Sequence, residues 1–264
     1  MTSMAEILLE ICCGSTEDAL EAADGGADRV ELCSALFLGG LTPSLGSLLQ
    51  VKARTRVPVM AMNRPRQAGF CYSQTEFAVM ERDAEALLEH GADGIVFGIL
   101  HDDGTIDTTR TRALRERIGI RQAVFHRAFD VTPDPVRALE ELIDLGFTRV
   151  LTSGQRNDAP DGADLIRRLI EQARNRIEVL PGAGITLATV RAFVEATECA
   201  QIHMTAFATR QDKSTLANPK IYFGAPGGPP EAEFQLTDRD YVRRVKEELA
   251  AVGKPDPSRA GARS

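Results

Sequence analysis

The chain has 264 residues, with 31 Lys and Arg against 38 Asp and Glu, a formal charge of −7, and 43% hydrophobic residues. A chain of this length buries enough apolar surface to fold without disulfide or metal staples, and the composition excludes a disordered polymer. The acidic balance argues against nucleic-acid or anionic-membrane partners, whose binding draws on basic patches that neutralise phosphates.

No apolar run reaches the ~18 residues of a membrane span. The opening MTSMAEILLEICCGSTED lacks a basic stretch ahead of a cleavable apolar one, so a cytoplasmic location is expected. The five cysteines, Cys12, Cys13, Cys33, Cys71 and Cys199, form no CxxC pair and are odd in number, which argues for reduced thiols.

In chain order, short apolar or β-branched runs alternate with longer segments of helical spacing. Strands are predicted at 7–12, 29–33, 57–62, 94–97, 123–126, 149–152, 177–181 and 201–204. Amphipathic helices are predicted between them, for example at 15–23, 75–90, 134–145, 162–173 and 186–196. Glycines at positions 26, 91 and 146 fall where a helix C-terminus meets the next strand. Eight βα units without a GxGxxG turn favour a (β/α)8 TIM barrel over a doubly wound open sheet. Residues 1–252 are expected to form one barrel domain, with an irregular segment at 205–236, a helix at 238–252 and a disordered tail at 253–264.

In such a barrel the C-terminal ends of the strands converge on one mouth. Alternation places Glu10 with Cys12, and Glu31 with Cys33, on one face of the first two strands, and both pairs are expected to point inward. Arg64 and Arg66, just past the third strand, are the expected partners of these carboxylates. The fifth strand ends in Phe125-His126-Arg127-Ala128-Phe129-Asp130. There His126 is a candidate general acid or base, oriented by Asp130 or a glutamate, or else a residue that simply satisfies barrel carboxylates. Arg127, Ser153, Gly154, Gly182 and Gly184 join Arg64 and Arg66 as candidate anion-binding groups. Tight strand-to-helix turns would explain the glycines equally well. His203 reads as either a core histidine or a member of the site. Adjacent strands bring Cys12 and Cys33 together if register allows, and paired thiolates suit Cu(I); staggering would instead separate them as buried apolar thiols.

Several blocks together resemble the CutC family, named for copper homeostasis. They are Leu9-Glu10-Ile11-Cys12, GGADRVELCSALFLGGLTPS (25–44), Arg64-Pro65-Arg66, Phe125-His126-Arg127-Ala128-Phe129-Asp130, Arg149-Val150-Leu151-Thr152-Ser153-Gly154 and Pro181-Gly182-Ala183-Gly184-Ile185. The resemblance implies a TIM barrel, a cytoplasmic location, a homo-oligomer, and Cu(I) held by Cys12 and Cys33. The alternative function is a barrel enzyme acting by acid–base chemistry on a small anionic metabolite, phosphorylated ones included. Glu10, Glu31, His126 and Asp130 would then handle its protons.

Overall fold

The computed structural model describes residues 6–224 and 230–252. Eight parallel strands form one ring: β1 (Leu8–Cys13), β2 (Arg29–Leu32), β3 (Val59–Met62), β4 (Gly94–Phe97), β5 (Gln122–Phe125), β6 (Arg149–Thr152), β7 (Glu178–Pro181) and β8 (Gln201–Met204). Neighbours in sequence are neighbours in the sheet, and β8 returns to pair with β1 in the register Glu10 to His203. Between β7 and β8 the ring is joined by one parallel bridge, Gly182 to His203. The expected (β/α)8 barrel is therefore the fold.

The period-two pattern of each strand explains how the barrel is filled. One parity, including Leu9, Ile11, Val30, Ile95, Phe125, Val150 and Ile202, packs outward under the helices. The other contributes Cys12, Cys33, Met60, Met62, Val96, Val124, Leu151 and Leu180 to a separate cluster inside the ring. Each fully buried large side chain of this kind contributes roughly 1.5–3 kcal/mol.

The outer layer consists of α1 (Thr16–Asp24), α2 (Leu45–Arg54), α3 (Gln74–Glu89), α4 (Thr108–Ile118), α5 (Pro135–Asp144), α6 (Ala163–Ala173), α7 (Val190–Thr197) and α8 (Arg239–Val252). Several starts are set by side chains that satisfy the first free amides. Ser15 accepts from the Asp18 amide, Asp134 caps α5 with Pro135 at its first position, and Ser73 with Glu76 forms a reciprocal capping box. Among the described residues, no helix is long and apolar enough to cross a membrane.

The 205–236 segment, expected to be irregular, carries an antiparallel ribbon of β9 (Phe207–Gln211) and β10 (Glu233–Thr237). Its open ends are tied down where the Thr237 amide donates to Asp18 at 2.6 Å and the Asp238 amide to the Ala206 carbonyl at 2.6 Å. Outside the described residues lie the expected tail at 253–264 and most of the Gly/Pro run before β10.

Candidate functional site

The floor of the barrel is a polar layer. Arg29 pairs with Glu10 and donates to Gln201 at 2.8 Å, while Arg149 reaches Glu178 at 2.6 Å and Gln201 at 3.1 Å. The expected partners of Glu10 and Glu31, Arg64 and Arg66, do not fill that role. Arg64 turns toward the rim and donates to the carbonyls of Leu38, Gly40 and Ala68 at 2.8–3.0 Å. Arg66 pairs with Glu76 at 2.5 Å and donates to the carbonyls of Gln67, Gly69 and Cys71. Arg66 is held by acceptors within ten residues of it, and Arg64 by the neighbouring loop after β2 as well as by Ala68, so both guanidiniums are taken up at the rim.

Above the floor, β1, β2 and β8 bring four chemically active side chains together. The Cys12 and Cys33 thiols donate to the same oxygen, Glu31 Oε2, at 3.3 and 3.5 Å. His203 lies between two carboxylates, with Nδ1 at 2.7 Å from Glu10 Oε1 and Nε2 at 3.8 Å from Glu31 Oε2. All of these residues are buried. The ligating atoms of Cys12, Glu31 and Cys33 lie within 4.8 Å of one another, as do those of Glu10, Glu31 and His203. The other Glu31 oxygen, Oε1, is buried without a hydrogen-bond partner.

Proximity divides the protons unequally in this cluster. The hydrogen bond from Cys33, helped by His203 against the cost of burial, draws the Cys12 thiol down to about 5. The same bond, with burial and Glu31 adding to it, pushes the Cys33 thiol well above the usual range. Burial first and the charge of Cys12 second raise the Glu31 carboxyl. For His203 burial opposes the charge, but Glu31, Cys12 and Glu10 outweigh it and raise the imidazole well above its ordinary value. Burial also opposes the Glu10 charge, and Arg29 and His203 overcome it to hold that carboxyl below the carboxylate range. The result is a net cationic Arg29–Glu10–His203 chain beside a Cys12 sulfur that favours the thiolate and a Cys33 sulfur that keeps its proton.

A cavity of about 1420 Å3 opens over this cluster at the C-terminal ends of the strands. Its wall includes Cys12, Glu31, Met62, Arg64, His126 and His203, and the β9–β10 ribbon overhangs it with Phe207, Phe234 and Leu236.

The β5–β6 side is built differently from the sequence expectation. Asp130 does not orient His126. It accepts from the Thr152 hydroxyl at 2.5 Å, the Ser153 and Gln155 amides at 3.0–3.2 Å, and Arg127 Nε at 2.8 Å. His126 instead uses Nδ1 to accept from the Ala128 amide at 3.1 Å, and Nε2 has no partner. Burial, followed by the nearby Arg64 charge, lowers the His126 imidazole to about 3, which favours its neutral form at physiological pH.

Most candidate anion-binding groups are already engaged. Arg127 Nη2 donates to the Ser153 hydroxyl and to two loop carbonyls, the Gly154 amide donates to Thr152 Oγ1, and the Gly182 amide to the Thr152 carbonyl. Gly154 is required for another reason: at φ +68° its Cα faces the Gly162 backbone so closely that a Cβ would collide with it. Gly184 lines the cavity but sits against the Asp158 carboxylate, a poor neighbour for an anion.

Of two further members of the site, sequence reading passes over Arg29 and leaves His203 open. Arg29 reads as the polar start of a strand. His203 becomes a site residue once β8 is placed beside β1, a consequence of ring closure that puts it opposite Glu10.

The CutC family model matches residues 7–208. This chain belongs to the CutC family. A family protein CutC of Treponema denticola is 52% identical over 246 residues, covering 93% of this chain and 100% of the relative. The human copper homeostasis protein cutC homolog is 44% identical over 238 residues, covering 90% of this chain and 87% of that protein. A crystal structure of the CutC protein of Streptococcus agalactiae superposes with a TM-score of 0.72 at 34% identity, covering 75% of this chain and 98% of the other.

Proposed function

We propose that this CutC-family chain handles copper as cargo, capturing Cu(I) with Cys12 and Cys33 at the barrel mouth. The observation that carries the reading is the convergence of both sulfurs on one glutamate oxygen, with the ligating atoms within 4.8 Å. Soft thiolates select Cu(I) over harder cations, and the Met62 thioether lies in the same inner cluster. Binding requires the thiols to shed protons. The partnerless Glu31 oxygen and the neighbouring His203 supply acceptors and counter-charge for that loss. The human relative's copper homeostasis name agrees with this reading. In this reading the protein works in the cytoplasm as a homo-oligomer.

An enzyme acting on a small anionic metabolite remains the second reading. It would have to move protons with Glu31 and His203, because His126 is neutral and Asp130 is committed to its loops.

Anaerobic competition against a chromogenic Cu(I) chelator tests the first reading. Cys12→Ser and Cys33→Ser should each lose at least about 100-fold in affinity, since even groups behind the ligands are worth about 10- to 100-fold. Equal affinity in wild type and both variants would refute it.

A further inference from the structure

We infer that the same cavity also binds an organic molecule with an apolar body, whose carboxylate or carbonyl oxygen accepts a hydrogen bond from His126 Nε2. The inference is independent of copper, since it rests on the β3–β5 side of the mouth and uses no thiol.

The first support is size. A cavity of about 1420 Å3 is far larger than one ion needs, and organic ligands typically occupy pockets of roughly 300–1,000 Å3. Its walls are largely apolar, with Leu36, Phe70, Leu151 and Ile185 among them. Apolar walls with a few convergent polar groups are the usual construction of a small-molecule site.

The second support is an unmet donor. His126 is 4% exposed and its Nε2 has no partner. Because Nδ1 accepts from the Ala128 amide, the ring proton is on Nε2, which is left as a donor with nothing to donate to. A buried donor without an acceptor is costly, and native structures rarely leave one without a reason. The Nδ1–Cε1 edge of the ring is seated on Gly98 and Ala128, and His126 is among the residues that line the cavity, its Nε2 just beneath the surface. Gly98 is part of this seat: a Cβ there would stand 2.6 Å from His126 Cε1.

The third support is charge. Arg64 lines the same wall, and its Nη1 and Nη2 are fixed by three carbonyls while Nε is buried without a partner. Phe70 touches both groups, with its ring centroid 4.8 Å from that of His126 and 5.3 Å from Arg64 Cζ. One wall therefore carries a neutral donor and a cation around an aromatic ring. That arrangement prefers an acceptor oxygen, and a charged one over a neutral one, attached to an apolar group.

Three probes with the same apolar body separate the possibilities: hydrocinnamate, hydrocinnamamide and phenylpropylamine. In wild-type protein labelled at the histidine nitrogens, the His126 Nε2 resonance should shift saturably with the carboxylate, less tightly with the amide, and not with the amine. His126→Phe should weaken hydrocinnamate binding about tenfold, the cost of one unmatched buried hydrogen bond. The wild-type resonance decides the matter even where that variant folds poorly. A resonance unmoved by both oxygen-bearing probes, or moved equally by the amine, overturns the inference.

Discussion

Two carboxylates stand at the same rim of the barrel, and their surroundings treat them in opposite ways. Asp130 accepts from two hydroxyls, two backbone amides and a guanidinium, so both its oxygens are filled by its own loops. Glu31 receives hydrogen bonds from two thiols on one oxygen, and the other oxygen receives none. Neither residue is strongly exposed, and both follow strand positions that sequence reasoning marks as functional. The difference teaches that a charge at the mouth does not by itself leave hydrogen-bonding capacity free: Asp130's is spent on its loops, and one oxygen of Glu31 keeps its own.

The contrast is open to direct attack. Asp130→Ala strips the partner from several buried donors at once and should cost about 3 kcal/mol or more of stability, read from urea unfolding, with Cu(I) affinity unchanged. A matching loss of copper binding would erase the distinction between the two carboxylates.

A somewhat smaller effect is expected at His126, where the imidazole falls from the ordinary 6.5 to about 3 in the fold. Below pH 6.5 the unfolded chain gains a proton that the folded ring refuses, so stability drops on acidification toward pH 3. Between pH 7 and pH 5 this single group accounts for about 2 kcal/mol. His126→Gln, whose side chain can still accept from Ala128, should flatten the acid limb of the stability profile by that amount. An unchanged limb would mean that the ring is not buried neutral.

Glu31→Gln should have the smallest effect on folding and a specific effect on function. The carboxyl is pushed upward by burial and by Cys12. As pH climbs from the ordinary carboxylate value toward this raised one, the unfolded chain releases a proton that the fold retains, and stability is lost. Glutamine abolishes that penalty, so its urea midpoint at pH 7 should not fall below wild type. Cu(I) affinity should nevertheless drop about tenfold, the lower end expected for a group behind the ligands.

The barrel was legible because each strand combines a period of two with a helical segment behind it, and because the unit repeats without a break. Helices α2 and α4 were harder to see. The α4 sequence TTRTRALRERI buries only Thr111, Leu114 and Ile118, so its apolar stripe is thin among arginines. The ribbon after β8 was missed because Phe207–Gln211 and Glu233–Thr237 are short, largely exposed and separated by a long connection. Within the site, alternation alone placed Glu10, Cys12, Glu31 and Cys33 inward, as found. The partners of Glu10 required knowledge of the ring: Arg29 and His203 reach it across β2 and β8, one of them 193 residues away. Arg66 misled for the opposite reason, since its hydrogen bonds close within its own loop, and Asp130 because the loop after β6 takes up its oxygens, which a motif does not reveal.

The join between β7 and β8 gives this architecture an unequal mechanical character. Elsewhere around the barrel the ladders hold two or more residue pairs, whereas this edge is held by Gly182 against His203. Breathing of the cylinder concentrates where hydrogen bonds are fewest. Parting this edge would leave His203 held by Glu10 on the β1 side, so the least fastened staves of the barrel lie beside its most reactive contents. Amide exchange is expected to be faster along this edge than along the other ladders.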